Sequence, residues 1–198
     1  MQDLYDVDLD DIRLRLQDRL KTRRYTHSLG TADEAEKLAE RWGLEPRRAY
    51  LAGLLHDSAK SWADDQLLSL SLLHGIPVDD WTLEHPDLLH GPVAAALLAD
   101  DWDIEDEQLE KAIRCHTLPD DEMSEFDMII YLADKIEPNR RPWPGLAELR
   151  RLAYEDLDQA MEAALSGCME YVGGEGGELH PATQEILEKY RNKINQRS

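Results

Sequence analysis

Two apolar segments with no polar face constrain the fold most strongly, because each predicts a helix that is packed on all sides. The first runs from Ala49 to Leu55 and leads directly into His56 and Asp57, and the second runs from Met128 to Ile136 and contains Asp134. Burying an ionised carboxylate in such surroundings is costly unless a cation or hydrogen bonds compensate it. Two such carboxylates far apart in sequence therefore predict one shared cationic site between two core helices.

Histidines in suggestive positions accompany the two carboxylates. His27 lies on a helix away from its main apolar stripe, His90 opens an alanine-rich segment, and His116 ends a helical pattern. Taken singly, each is more often an ordinary core or surface histidine, and Asp134 alone can be the ion-pair partner of an arginine. Taken together, the candidate metal ligands form a set of six: His27, His56, Asp57, His90, His116 and Asp134.

The chemistry of this set predicts a transition-metal site. Imidazole and carboxylate ligands suit iron, manganese and zinc, whereas the two cysteines, Cys115 and Cys168, make no thiolate cluster. Six ligands exceed what one tetrahedral site needs. The set therefore predicts two metal ions that share a bridging carboxylate.

Helical periodicity dominates the chain, and no segment shows the convincing alternation of a half-buried strand. The 198 residues suffice for one domain with a full core, and no linker or internal repeat divides them. We therefore predict a single all-α domain over residues 1–198. Helices are expected near 8–20, 24–42, 46–59, 64–73, 90–100, 105–116, 124–137, 146–171 and 182–194, and the glycine-rich stretch 173–177 is expected to be a turn.

Five short sequence motifs resemble those of a known family. They are Arg24-Tyr-Thr-His-Ser-Leu-Gly30, Ala52-Gly-Leu-Leu-His-Asp-Ser-Ala-Lys60, Leu88-Leu-His-Gly-Pro-Val-Ala-Ala95, Ala112-Ile-Arg-Cys-His-Thr117 and Ile129-Ile-Tyr-Leu-Ala-Asp-Lys-Ile-Glu-Pro-Asn-Arg140. With these motifs in this order, the chain resembles the HD-domain metal-dependent phosphohydrolase superfamily in its two-metal form, and within it the bacterial YqeK-type hydrolases. The resemblance covers about residues 15 to 195.

The resemblance implies an HD-domain helical bundle with the metal site between core helices, a catalytic core at about 20–141 and C-terminal helices at about 146–194. It also implies one metal held by four ligands and a second metal to which Asp57 forms the bridge. The first set of ligands is His27, His56, Asp57 and Asp134, and His90 and His116 hold the second metal.

The activity implied by the resemblance is symmetrical hydrolysis of diadenosine tetraphosphate to two ADP. The expected nucleophile is a metal-bridging hydroxide that attacks a phosphoryl group. Iron is the metal implied first, with manganese or another transition metal as alternatives.

Charge that develops on the leaving phosphate needs cations nearby. Lys60, about one helical turn beyond the adjacent residues His56 and Asp57, is the first candidate, and Arg140 is the second. Arg24 is the third, although a solvated surface charge explains it equally well, and Thr117 can donate a hydrogen bond to phosphate. We expect Asp57 and Lys60 to be catalytic, and Arg24, Lys60, Thr117 and Arg140 to bind substrate.

The net charge of −20 argues against nucleic acid as a partner and against long-range attraction of a polyphosphate. Binding must therefore depend on local cations. No apolar stretch approaches the length that spans a bilayer, and the acidic start is unlike a signal peptide. We predict a cytoplasmic enzyme that acts on a small-molecule dinucleoside polyphosphate or nucleotide, without nucleic-acid or membrane partners; the sequence leaves a homodimer open.

Two other functions use the same six ligands. The first is another HD-domain phosphohydrolase that acts on a nucleoside monophosphate or a cyclic nucleotide, with the loop at 117–124 setting the choice. The second is a di-iron oxygenase or a non-catalytic nucleotide-binding regulator. A regulator predicts lost ligands, whereas all six positions are filled here.

Overall fold

The computed structural model describes residues 4–174 and 180–197, without the side chains of 170–174. Every regular element in these ranges is helical, which confirms the predicted all-α class. The α-helices are α1 (Leu9–Arg19), α2 (Thr22–Trp42), α3 (Pro46–Leu55), α4 (Asp64–Leu73), α5 (Asp80–Glu84), α6 (His90–Ala96), α7 (Leu98–Trp102), α8 (Glu107–Cys115), α9 (Glu125–Ile136), α10 (Leu146–Ala153), α11 (Leu157–Gly174) and α12 (Pro181–Asn195), and a 3-10 helix spans Pro86–Leu89. The glycine-rich stretch 173–177 continues α11 as far as Gly174 and then leaves the described residues.

Helices α3 and α9 lie in the core, as their apolar runs predict. Residues 49–55 of α3 are all buried, and α9 is buried apart from Glu125 and Lys135. Helix α2 packs so closely on α3 that a Cβ added to Gly53 would lie 2.8 Å from Thr31 O and from Ala32 Cα. The missing side chain at position 53 therefore lets the helix that carries His27 approach the helix that ends before His56.

The helix predicted at 46–59 ends earlier, at Leu55. Beyond it the backbone changes to i to i+3 hydrogen bonds, with Ser58 N donating to Leu55 O and Lys60 N donating to Asp57 O. Hydrophobic periodicity does not distinguish such tight turns from a helix end. The correction matters because Asp57 lies in this turn and not within α3.

The helix predicted at 146–171 is two helices, α10 and α11. The break follows from Asp156, whose carboxylate accepts hydrogen bonds from the backbone N–H groups of Asp158 and Gln159 and so caps the start of α11. The segment predicted at 90–100 likewise divides, at Leu97, into α6 and α7. The prediction also omitted α5, a short helix that Asp79 caps.

Side chains cap the starts of α1 and α9. Asp8 accepts from the N–H groups at the start of α1, and Ser124 caps α9 while the Asp127 side chain bonds back to Ser124 N. In the described part of the chain, no helix has the length and apolar character needed to cross a membrane.

Candidate metal centre

All six predicted metal ligands come together in one buried cluster. His27 comes from α2, His56 and Asp57 follow α3, His90 begins α6, His116 follows α8, and Asp134 lies on α9. Each of the six side chains is buried in the fold. Five separate chain segments therefore converge on one buried site.

The first group of ligand atoms surrounds one side of Asp57. The ligand atoms of His27, His56 and Asp57 all lie within 4.8 Å of one another. The Nε2 atom of His27 lies 2.9 Å from Asp134 Oδ1 and 3.9 Å from Asp57 Oδ2, and the Nε2 atom of His56 lies 3.7 Å from the same two oxygens. Two imidazoles and two carboxylates thus point toward a common centre.

A second group lies on the other side of the same carboxylate. Asp57 Oδ1 is 3.1 Å from His90 Nε2 and 3.8 Å from His116 Nε2, and these three ligand atoms again lie within 4.8 Å of one another. Asp57 is common to both groups and presents a different oxygen to each. This arrangement suits a carboxylate that bridges two cations.

The orientation of the imidazoles tests whether a metal fits. His116 Nδ1 lies 2.6 Å from Ile113 O, and His90 Nδ1 faces Asp87 O more closely than it faces Lys60 Nζ at 3.2 Å. Each ring therefore donates from Nδ1 to a backbone carbonyl, and its Nε2 carries the lone pair. The two Nε2 atoms lie 3.1 Å apart, so that two lone pairs face each other beside a carboxylate. A shared cation resolves this repulsion.

His56 shows the same orientation in a fully buried position. Its Nδ1 lies 2.7 Å from Gly53 O, and its Nε2 has no hydrogen-bond partner among the described residues. An unpaired buried nitrogen is costly unless another ligand satisfies it. The donor set and its orientation therefore fit a pair of metal ions.

The carboxylates are ionised at neutral pH. Burial acts to raise the pKa of Asp134, but Lys135 and Arg140 outweigh it and hold that pKa well below its usual range. Burial likewise acts against ionisation of Asp57, yet its electrostatic interactions with His56, His116 and His90 hold its pKa well below the usual range. Both groups are thus available as anionic ligands.

Most of the imidazoles are neutral at the same pH. Burial lowers the pKa of His56 to about 4, and it lowers the pKa values of His90 and His116 as well. His27 is the exception, because burial acts to lower its pKa but hydrogen bonds to Asp134 and Glu137 raise it overall. Neutral imidazole is the form that binds a metal.

Glu137 is a residue of this site that the sequence analysis did not single out. Its Oε1 lies 3.1 Å from His27 Nδ1, and its Oε2 accepts a hydrogen bond of 2.6 Å from Asn139 N. Arg150 Nη2 donates to the Glu137 carbonyl and helps to fix this end of α9. A carboxylate behind an imidazole orients the ring and makes it a better ligand. Its position three residues after Asp134 was the available signal.

The predicted cationic residues line the cluster. Arg24 Nη1 lies 2.9 Å from Asp57 Oδ2, and Lys60 Nζ lies 3.2 Å from His90 Nδ1. Arg140 forms an ion pair with Asp134 Oδ1. Lys135 was not predicted, yet its Nζ lies 2.6 Å from the other oxygen of Asp134. The arrangement surrounds the two carboxylates with positive charge.

Thr117 also lies beside the cluster, next to His116 in the chain. Its hydroxyl oxygen is buried and has no hydrogen-bond partner among the described residues. A Cβ added to Gly91 would lie 2.8 Å from this oxygen, so the glycine leaves room for it.

Cys115 is buried as well, and burial raises the pKa of its thiol to about 12. Cys115 is therefore a core residue.

Comparison with known proteins agrees with this geometry. The profile of the HD domain matches residues 24–139, a range that contains all six predicted ligands. The chain is 34% identical over 169 residues to the symmetrical bis(5'-nucleosyl)-tetraphosphatase of Bacillus subtilis. The aligned residues make up 85% of this chain and 89% of that protein. It is 33% identical over 164 residues to the protein of the same name from Halalkalibacterium halodurans, covering 83% and 87% of the two chains.

A solved structure shares the fold as a whole. It is described as a predicted HD superfamily hydrolase involved in NAD metabolism from Clostridium acetobutylicum. The two structures superpose with a TM-score of 0.89 at 34% identity, covering 94% of this chain and 98% of the other. The similarity therefore includes the C-terminal helices as well as the segments that carry the cluster.

Proposed function

This chain belongs to the HD domain family, and we propose that it is a metal-dependent hydrolase that cleaves diadenosine tetraphosphate symmetrically into two molecules of ADP. Two relatives of similar length carry the name of that activity. The single observation that carries the proposal is the position of Asp57, whose two oxygens face two separate sets of imidazoles.

The residues that would hold the metals follow from the two groups. His27, His56 and Asp134 would hold one ion, His90 and His116 the other, and Asp57 would be shared. When bound, two such ions supply Lewis acidity, which lowers the pKa of water and withdraws charge from a phosphoryl group. We propose iron first, because mixed imidazole and carboxylate ligands suit it. A cytoplasmic location and a homodimer stay predictions of the sequence.

The protein side chains would bind and orient the polyphosphate. Lys60 contacts His90 and Arg24 contacts Asp57, and both side chains are partly exposed, so their charges can neutralise the phosphate oxygens. Thr117 offers a hydroxyl that has no other described partner. Hydrolysis breaks the central phosphoanhydride bond, adds the oxygen of water to one phosphorus atom, and leaves the bridging oxygen on the other half. Each product is then ADP.

The test is the identity of the products. We would purify the protein with its metal retained, count metal ions per chain, and separate the nucleotides formed from diadenosine tetraphosphate. ADP as the sole nucleotide product is the expected result. A mixture of ATP and AMP would show asymmetric cleavage and refute the proposal, and an absence of turnover in protein with two metals per chain would refute it too.

The bridging role of Asp57 has its own test. Asp57→Ala should lose metal content and turnover together, because both proposed metals share that carboxylate. Asp158→Ala is the matched control, since Asp158 is also buried and pairs with Lys193 at 2.7 Å on the C-terminal helices. It should keep its metal. An Asp57→Ala protein with full metal content and activity would overturn the assignment.

A further inference from the structure

A cavity of about 220 Å³ adjoins the metal centre. Two of its lining residues are neighbours of proposed ligands, since Thr117 follows His116 and Lys135 follows Asp134. A ligand whose phosphates lie at the cluster would therefore reach into this cavity with the group attached to them.

The lining of the cavity is largely apolar and contains aromatic rings. Trp81, Leu88, Leu118 and Pro119 contribute to it, with Tyr131 at the α9 side. The ammonium of Lys135 lies 4.6 Å from the centre of the Tyr131 ring, on the wall that leads to the cluster. Thr117 and Lys135 thus stand toward the metal ligands, and the rest of the lining is mostly hydrocarbon, with His85, Asp87, His180 and Thr183 as its polar members. This division suits a flat heterocycle with a charged tail.

The wall formed by Trp81 is held in place by its surroundings. The indole lies 5.1 Å from the His85 ring and meets the His180 ring edge-on at 6.1 Å. His180 Nε2 donates to Asp79 Oδ2 at 2.9 Å, and its Nδ1 accepts from Ala182 N. Both ring nitrogens of His180 are therefore hydrogen-bonded, and the bond to Asp79 connects the start of α12 to the start of α5. A rigid aromatic wall of this kind favours stacking, because little entropy is lost when the ligand binds.

The size of the cavity restricts what it can hold. Pockets for whole drug-sized ligands measure about 300–1,000 Å³, so this one accommodates part of a dinucleotide rather than all of it. Given its aromatic wall and its position beside the phosphate-binding cations, we propose that the cavity binds one nucleobase of the substrate, with Trp81 as the stacking surface. This rests on the proposed function, because the phosphates must lie at the cluster.

Binding measurements with two probes test the proposal on the metal-loaded protein. ADP carries a base and inorganic pyrophosphate does not, so calorimetric titration with each separates the base site from the phosphate site. Trp81→Ala should weaken ADP binding by about ten- to a hundred-fold, the usual effect of removing a stacked base contact, and should leave pyrophosphate binding unchanged. Trp81→Phe should keep most of the affinity for ADP, because a phenyl ring also stacks.

A matched control uses a tryptophan outside the cavity. Trp143 packs against Gly145 and Gly167 and is not part of the lining, so Trp143→Phe should bind both probes like the unaltered protein. Equal loss of ADP and pyrophosphate affinity in Trp81→Ala would overturn the proposal, as would unchanged affinity for both. The same loss of ADP affinity in Trp143→Phe would also overturn it.

Alkylation of Cys168 provides a measurement that needs no variant. Cys168 lines the cavity, whereas Cys115 is buried and its thiol pKa is raised to about 12, so iodoacetamide modification can be assigned to one site by peptide mass spectrometry. ADP should slow the modification of Cys168 and pyrophosphate should not. Equal rates with and without ADP would overturn the proposal.

These outcomes separate the base site from the proposed activity. Suppose that diadenosine tetraphosphate is not hydrolysed, but that ADP protects Cys168 from alkylation and that ADP affinity falls in Trp81→Ala. The proposed activity is then wrong, and the base site stands. If hydrolysis occurs with ADP as the sole product, yet Trp81→Ala changes neither KM nor ADP affinity, the activity stands and the base lies elsewhere.

Discussion

Gly53→Ala is the substitution whose consequence can be worked out most directly from the structure. The added methyl carbon would lie 2.8 Å from Thr31 O, 2.8 Å from Ala32 Cα and 2.9 Å from Ala32 N. Ordinary contact between such atoms needs about 3.5–4.0 Å, so α2 and α3 must separate by up to about 1 Å. All three contacts are backbone atoms, and no side chain can rotate away to relieve them.

The cost of this separation can be bounded. Overpacking in a well-packed core costs about 1–3 kcal/mol. The better helix propensity of Ala offsets about 1 kcal/mol of that amount. A net loss of up to about 2 kcal/mol is expected, which lowers Tm by up to about 8 °C for a chain of this length.

The same displacement should reach the metal centre. Gly53 O accepts the hydrogen bond that orients His56, and the opposing helix carries His27. We therefore expect Gly53→Ala to lose metal on desalting in addition to its lower Tm, as measured by thermal circular dichroism and metal analysis. A variant with unchanged Tm and full metal content would refute the reasoning.

Gly43→Ala is the control for a general loss of stability. Gly43 ends α2 with a φ of 70° and has no atom within 4 Å of an added Cβ. A side chain in this left-handed conformation costs about 1–2 kcal/mol through the backbone alone. Its Tm should fall by a similar amount while its metal content stays unchanged, so that a loss of metal confined to Gly53→Ala is attributable to the site.

Three further predictions concern the residues around the ligands. Glu137→Gln should weaken metal affinity by about 10–100-fold, because the anionic partner of His27 is lost, and Glu34→Gln, a buried control bonded to Tyr154, should leave metal titrations unchanged. Lys60→Ala should keep its metal and lower kcat/KM; equal activity would show that its charge does not serve the phosphates. In metal-free protein the folded pKa of His56 is about 4 against an ordinary 6.5, so the unfolded chain takes up the proton first as pH falls. Denaturant titrations should then show the free energy of unfolding decreasing by about 3 kcal/mol from pH 6.5 to pH 4 on account of this group, and a flat profile would contradict its burial as a neutral ring.

The donor set and its helical setting were predictable from sequence because they depend on local pattern. An apolar run without a polar face favours a buried helix, and a carboxylate within or beside such a run needs a cation or hydrogen bonds to compensate its burial. The runs before Asp57 and around Asp134 therefore indicated both the core helices and the kind of ligand. The ends of the helices were less predictable, since the turn after Leu55 and the cap at Asp156 depend on single hydrogen bonds.

Which atoms meet was decided by the tertiary structure. The contact between His27 and Glu137 joins residues 110 positions apart, and no local periodicity encodes it. The cavity beside the cluster is likewise assembled from α5, the 3-10 helix, the loop at 117–119, α9, α11 and the start of α12, segments that carry no shared sequence signal.

The sequence alone thus determined that buried carboxylates and imidazoles would require a cation, because burial cost follows from residue type and its immediate surroundings. Only the folded chain decided that Asp57 presents one oxygen to each set of histidines. That result depends on the directions in which five separate segments enter the site. Packing between helices sets those directions, as the close approach at Gly53 illustrates.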